Sequence, residues 1–131
     1  MLHPLLRDLV AAELPILAEH DVSMWGYGVL NALDRSPVRT QAALADSIGA
    51  DKTRIIPTLD ELQQKGFIER RPDPGDRRVR LLEITPAGRE VKNAVQRAIQ
   101  RAEERWLSEL TAQERAVFLR ALERLRRLGP Q

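Results

Sequence analysis

Cysteine is absent from the 131 residues of this chain. That excludes disulfides, thiolate metal sites and any thiol-based redox sensor. The two histidines, His3 and His20, stand alone, with no second histidine at ligand spacing, so no metal site is expected. Charge of one sign is also missing in bulk. The formal net charge is +2, and composition therefore does not announce nucleic-acid binding; local placement of cations is the more relevant quantity. No apolar run approaches the roughly 20 residues needed to span a bilayer. The N-terminal stretch MLHPLLRDLVAAELP is amphipathic and broken by charge, unlike a signal peptide. A cytoplasmic protein with no membrane partner is expected. Catalytic patterns are wanting as well: there is no Gly-rich phosphate loop and no nucleophile with a base beside it. The paired acids Asp60-Glu61 and Glu103-Glu104 are adjacent on helical segments, so they diverge and suit solvent better than catalysis. The chain reads as a non-enzyme without a cofactor, of a length that can bury one real core.

What is present concentrates in Arg70 to Gly88, RRPDPGDRRVRLLEITPAG. Pro72, Asp73, Pro74, Gly75 and Asp76 form a turn-rich centre able to reverse the chain. The run that follows, Val79 to Thr85, is rich in β-branched and aliphatic residues, as a strand should be. Arg70, Arg71, Arg77, Arg78 and Arg80 crowd the tip against Asp73 and Asp76. An arginine-tipped hairpin suits the narrow, electronegative minor groove of DNA. Taken alone, a solvated hairpin with ordinary surface charge would look the same.

The segment upstream tips the balance. Thr40 can cap a helix from Gln41 to Ser47, with Ile48 closing its apolar face. Gly49 and Ala50 supply a short turn. Asp51 is placed to cap a second helix, Lys52 to Lys65, ended by Gly66. Its Ile55, Leu59 and Leu62 recur at i, i+4 and i+7 and define a buried face. The other side carries Lys52, Thr53, Arg54, Ile56 and Pro57. These include donors for phosphates and base edges, and Ile56 suits a thymine methyl. Pro57 falls past the first turn of such a helix and crowds the Thr53 carbonyl, so a slight bend or a tightened first turn is expected. Helix, turn, helix and basic hairpin describe a winged helix-turn-helix: a mainly α fold with a small β-hairpin wing.

The run LADSIGADKTRIIPTLDELQQKGFIERRPDPGDRRVRLLEITPAG resembles the DNA-binding core of MarR-type transcriptional regulators. The resemblance is carried by D-x-R, a strand, L-T-x-x-G and a long helix, read here as Asp76, Arg78, Ile84-Thr85 and Gly88. Val22-Ser23 opening the preceding helix, and long helices at both ends, extend it over nearly the whole chain. It implies that the helix matching Asp51 to Lys65 enters the major groove of double-stranded DNA. It also implies that Arg78 reaches the minor groove and that Asp76 orients it. Lys52, Arg54, Arg71, Arg77 and the helix start at Thr40-Gln41 would then meet phosphates. Relatives often carry a basic residue where this chain has Pro57, so no target sequence is carried over.

The two ends of the chain supply apolar stripes of their own. Thr85 and Pro86 form a helix start, followed at helical spacing by Val91, Val95, Ala98, Ala102 and Trp106. Thr111 to Glu114 is a capping box, and beyond it Val117, Ala121, Leu122, Leu125 and Leu128 form another stripe. Leu2, Leu5, Leu6, Leu9 and Val10 make a third. Three further stripes would overfill the winged core, so a homodimer is expected, with residues 1–20 and 89–131 as dimerisation helices around a DNA-binding domain over 22–88. A monomeric helical cap folded back on the winged domain is the alternative. The functional expectation is a homodimeric repressor of a pseudo-palindromic operator, relieved by a small aromatic or anionic effector. A winged-helix module that binds protein instead of DNA is the competing reading. Residues able to line an effector crevice are His20, Trp25, Tyr27 and Trp106, although plain helix packing is the stronger reading of the two tryptophans. Gly26 and Gly28 permit close approach to the helix that begins at Ser23.

Overall fold

The computed structural model describes residues 2–36 and 38–129. It divides into two compact units, residues 1–98 and 99–131. The first contains helices α1 (Leu2–Glu19), α2 (Met24–Arg35), α3 (Gln41–Ser47) and α4 (Ile56–Gln64), and strands β1 (Val38–Thr40), β2 (Ile68–Pro72) and β3 (Arg80–Ile84). Helix α5 (Pro86–Leu107) runs through the boundary, and α6 (Ala112–Leu128) lies in the second unit.

Local capping chemistry explains most helix starts. The Ser23 and Thr40 hydroxyls accept from the backbone N–H of Gly26 and Ala43 at 3.0 and 3.1 Å. Thr85 does the same for Gly88 at 3.0 Å while donating its own proton to the Gly66 carbonyl at 2.6 Å. Each satisfies an N–H that the first helical turn would leave unpaired. Gly66, at φ 80°, follows α4 in the left-handed conformation that a C-terminal glycine permits.

One apolar cluster holds the first unit together. It combines Val29, Leu30, Ala32 and Leu33 of α2, Leu44 and Ala45 of α3, Leu59 and Leu62 of α4 with the preceding Ile55, Ile68 of β2, and Leu82 and Ile84 of β3. The expected i, i+4, i+7 face of Ile55, Leu59 and Leu62 is the buried one. The sheet order is β1-β3-β2, all antiparallel, with Arg70 opposite Leu82 and Pro72 opposite Arg80. Strand β1 was not foreseen; its three residues pair with Leu81 to Glu83 and extend the two-stranded wing at its base.

Gly88 has a steric reason for being glycine. A Cβ there would lie 2.1 Å from the Phe67 carbonyl oxygen, the same oxygen that accepts from Thr85 N–H at 3.0 Å. At Gly26 the fit is less severe: a Cβ would lie 3.1 Å from Ser23 Oγ and 3.2 Å from Val22, and at an ordinary 3.5 Å from Leu62 of α4. Gly28 corrects the expectation made for the pair: a Cβ there meets nothing within 4 Å.

The second helix of the motif also differs from expectation. It starts at Ile56, not Lys52, and Pro57 stands in its first turn. Asp51 does cap, but it caps a separate turn: its Oδ1 accepts from the N–H and hydroxyl of Thr53 at 2.8 and 2.7 Å. Thr53 thereby holds the Asp51 carboxyl below the usual carboxylate range. Proline has no N–H to donate and clashes with the carbonyl four residues back, so a helix begun at Lys52 would be penalised at Pro57. Starting at Ile56 removes that conflict, because first-turn N–H groups have no helical acceptor anyway. Pro57 is therefore accommodated by a later helix start.

In the second unit, Thr111 and Glu114 form the expected reciprocal capping box at the start of α6. Arg115 grips Glu104 through two hydrogen bonds of 2.5 and 2.7 Å, which ties α6 to the end of α5. No α6 residue is buried.

Candidate nucleic-acid interface

Along β2 and β3, side chains alternate between two faces. Ile68, Leu82 and Ile84 point into the core. Arg70 opposes Leu82 in register, so it belongs to that same face. It does not sit at the wing tip among the solvent-facing arginines. Its guanidinium donates to Gln63 Oε1 at 2.6 Å and pairs with Asp60, both on α4. Arg70 is thus a brace between wing and helix, and it pairs the Asp60 carboxylate.

The tip itself, residues 73–79, is built by its two aspartates. Asp73 Oδ1 accepts from Gly75 N–H at 2.8 Å, and Asp76 Oδ1 from Arg78 N–H at 3.1 Å. Aspartates commonly stabilise turns by bonding backbone N–H groups two residues on. Asp76 also lies 3.3 Å from Arg78 Nε, yet the Arg78 side chain remains 92% exposed. Arg71 and Arg77 are exposed as well, and among the described residues no carboxylate pairs with either. The tip therefore projects cations whose nearby acids are largely occupied with the backbone.

On α4 the outward surface begins with Ile56, 38% exposed, and Pro57, followed by Asp60, Glu61, Gln63 and Gln64. The helix contains no cation of its own. Its acids are answered from outside it: Asp60 by Arg70, and Glu61 by Lys65 at 2.9 Å. Lys65 also meets Asp21 at 3.2 Å, and the Glu61 carboxylate holds its ammonium above the usual lysine range. Asp60 and Glu61 do diverge, as their adjacency implied, but each is ion-paired. Lys52, Thr53 and Arg54, expected within this helix, lie exposed on the turn before it. Thr40 and Gln41 stand at the start of α3, with the Thr40 hydroxyl engaged as its cap.

A cleft of about 460 Å³ lies between α4 and the wing, lined by Gln41, Ile56, Gln63, Arg70 and Arg80. It brings together Gln41 and Ile56 from the expected set. None of the residues expected to meet an effector lines it. His20 bonds through Nδ1 to the Ile16 carbonyl at 2.9 Å; Trp25 is exposed and Tyr27 half-buried, both on α2. Trp106 belongs to the second unit, where it is exposed. Among the described residues, no group of three or more acids or histidines is arranged to hold a metal ion, and no helix is long and apolar enough to cross a membrane.

Residues 20–79 match the sequence model of the MarR family. A curated relative, a putative transcriptional regulatory protein for the hcr operon of Thauera aromatica, is 32% identical over 101 residues. Those residues are 77% of this chain, and the chain spans 61% of that relative's length. Among solved structures, a crystal structure of MarR superposes with a TM-score of 0.85 at 28% identity, covering 98% of this chain and 90% of that one. The transcriptional repressor CouR, bound to a 23-mer DNA duplex, gives 0.82 at 26% identity, covering 95% and 88%.

Proposed function

Since the chain belongs to the MarR family of winged helix-turn-helix transcriptional regulators, we propose that it is a homodimeric, sequence-specific regulator of double-stranded DNA. The observation that carries this reading is the wing, where Arg71 on β2 and Arg77 and Arg78 at the tip are exposed. In this reading Ile56 and the first turn of α4 enter the major groove, and Arg78, steadied by Asp76, enters the minor groove. Thr40, Gln41, Lys52, Thr53, Arg54, Arg71 and Arg77 surround them as backbone contacts. That the similar repressor CouR is bound to a DNA duplex supports double-stranded DNA as the partner.

Two copies related by a two-fold axis would read half-sites about one helical turn, roughly 34–36 Å, apart. The exposed apolar faces of α1 and α6 are the surfaces we assign to that pairing. A dimer seated on a promoter obstructs polymerase, so repression is the favoured outcome. Relief by an aromatic or anionic effector near His20, Trp25, Tyr27 or Trp106 requires that the effector bind one spacing of the recognition helices better than another. A thermal-shift screen of aromatic acids addresses that step. The competing reading, a winged helix that binds protein, loses its motive, because Pro57 occupies a position where proline is tolerated.

The decisive experiment is mobility shift on DNA selected by the protein from a random pool, against scrambled duplex at moderate salt. Specific retention is expected. With about 6–10 phosphates neutralised per dimer, affinity should fall about 10³–10⁵-fold between 50 and 200 mM salt. Arg78→Ala should weaken binding without unfolding the protein. Unchanged affinity at fixed salt would refute the minor-groove role of the wing.

A further inference from the structure

We propose that Arg80, on β3, is a DNA-backbone clamp seated between the recognition helix and the wing. This deepens the DNA-binding reading and rests on it.

The strand register places it there. Arg80, Leu82 and Ile84 share one face of β3, and Leu82 and Ile84 are core residues. Arg80 therefore continues the helix-facing side of the hairpin outward, past the point where the core ends. It emerges as an exposed wall of the cleft it shares with Gln41, Ile56, Gln63 and Arg70. Arg77 and Arg78 leave the tip in loop residues before the strand begins, so Arg80 occupies a location they do not.

That location has a geometric meaning in a duplex. A protein that puts one element in the major groove and another in the adjacent minor groove must straddle the sugar-phosphate ridge between them. The surface connecting the two elements faces that ridge, and here it is the cleft of about 460 Å³. Two guanidinium groups line it, but only one is available. Arg70 is held by Asp60 and Gln63, whereas Arg80 has no carboxylate partner among the described residues. Planar guanidinium donors match phosphate oxygens well. Gln41 adds an amide to the lining, and Ile56 adds an apolar surface for sugar or a thymine methyl. A free cation, a free amide and an apolar patch on the surface that must face the ridge describe a phosphate seat.

The test compares wild type, Arg80→Ala, Arg80→Lys and Arg78→Ala by fluorescence anisotropy on the selected duplex and on a scrambled one, over a salt series. Loss of one phosphate contact flattens the plot of log affinity against log salt by about one unit per engaged Arg80. Arg80→Ala should show that flattening and weaken selected and scrambled duplex by the same factor. Arg80→Lys should restore most of the slope, since a point charge still meets the phosphate. Melting curves by circular dichroism should be unchanged, because the side chain is exposed. An unaltered slope for Arg80→Ala, with Arg78→Ala still defective, overturns the clamp and leaves the DNA-binding reading standing. A change confined to the selected sequence also overturns it, by making Arg80 a base reader. Wild-type protein that prefers no duplex over scrambled competitor removes both proposals together.

Discussion

The winged core and helix α6 use similar apolar residues to opposite ends. Twelve residues from α2 to β3 bury themselves in a single cluster. Helix α6 carries Val117, Phe118, Leu119, Leu122, Leu125 and Leu128 and buries none of them; Leu125 and Leu128 are 59% and 64% exposed. Helix α1 resembles α6, with Leu17 its single buried residue. Helical periodicity thus announces an apolar face without saying what covers it. In the core the cover is other elements of the same unit. On α1, and separately on α6, large apolar side chains stand exposed, and exposed patches of this kind mark association sites.

The sharpest way to break this contrast is to damage each region in turn. Leu59→Ala, in the core, should lower unfolding free energy by about 2–5 kcal/mol in urea titrations, since it leaves a cavity among fully buried neighbours. Leu125→Glu, on α6, should leave the core's side-chain packing intact but abolish self-association, read as a shift from dimer to monomer in sedimentation. Association stabilises by mass action, so the wild-type melting temperature should rise with protein concentration and that of Leu125→Glu should not. If Leu125→Glu and wild type sediment alike, the proposed cover for α6 is wrong.

A second comparison sets two glycines against each other. Gly88→Ala would thrust a methyl against the Phe67 carbonyl, which is backbone and already bonded to Thr85. Overpacking of this kind costs about 1–3 kcal/mol, and the start of α5 should show it as loss of amide protection. Gly28→Ala fills open space inside α2 and should stabilise by about 0.5–1 kcal/mol through helix propensity. Opposite signs from one substitution type would confirm that close approach, and not glycine as such, governs Gly88. A stable Gly88→Ala protein would contradict the packing described at the base of the wing.

These contrasts also mark what could be read in advance. Thr40, Thr85 and Thr111 announced helix starts because capping involves residues three apart. The turn of the wing was legible for the same reason, with Asp73 and Asp76 acting on N–H groups two residues on. The start of α4 was misjudged because two local signals compete: Asp51 is a good cap, but Pro57 penalises any helix that Asp51 could begin. Strand β1 exists through pairing with β3, a non-local event its three residues do not encode. The roles of Arg70 and Arg80 likewise depend on register, which decides that one arginine braces α4 and another faces the cleft. Composition lists five arginines in that region without distinguishing them.

The smallest expected effect sharpens the comparison electrostatically. In the first unit, Asp34 of α2 meets Lys92 of α5 at 2.6 Å and Arg89 at 2.9 Å, and the Lys92 side chain is only 10% exposed. The hydrogen bond from Lys92, then that from Arg89, holds the Asp34 carboxyl below its ordinary value of 3.8. In the second unit Arg115 lowers Glu104 in the same direction, but this pair is much more open to solvent. A depressed folded value means that the unfolded chain takes up the proton first as the solution is acidified. The stabilisation is therefore complete above the ordinary value and is lost as pH falls through the folded one. Urea midpoints measured between about pH 6 and pH 3 should decline in the wild type, and Asp34→Asn should flatten part of that decline. Glu104→Gln should flatten it less, because exposed pairs are screened and contribute little. Finding the larger flattening for Glu104→Gln would mean that the α5–α6 junction, and not the α2–α5 junction, carries the acid sensitivity of this fold.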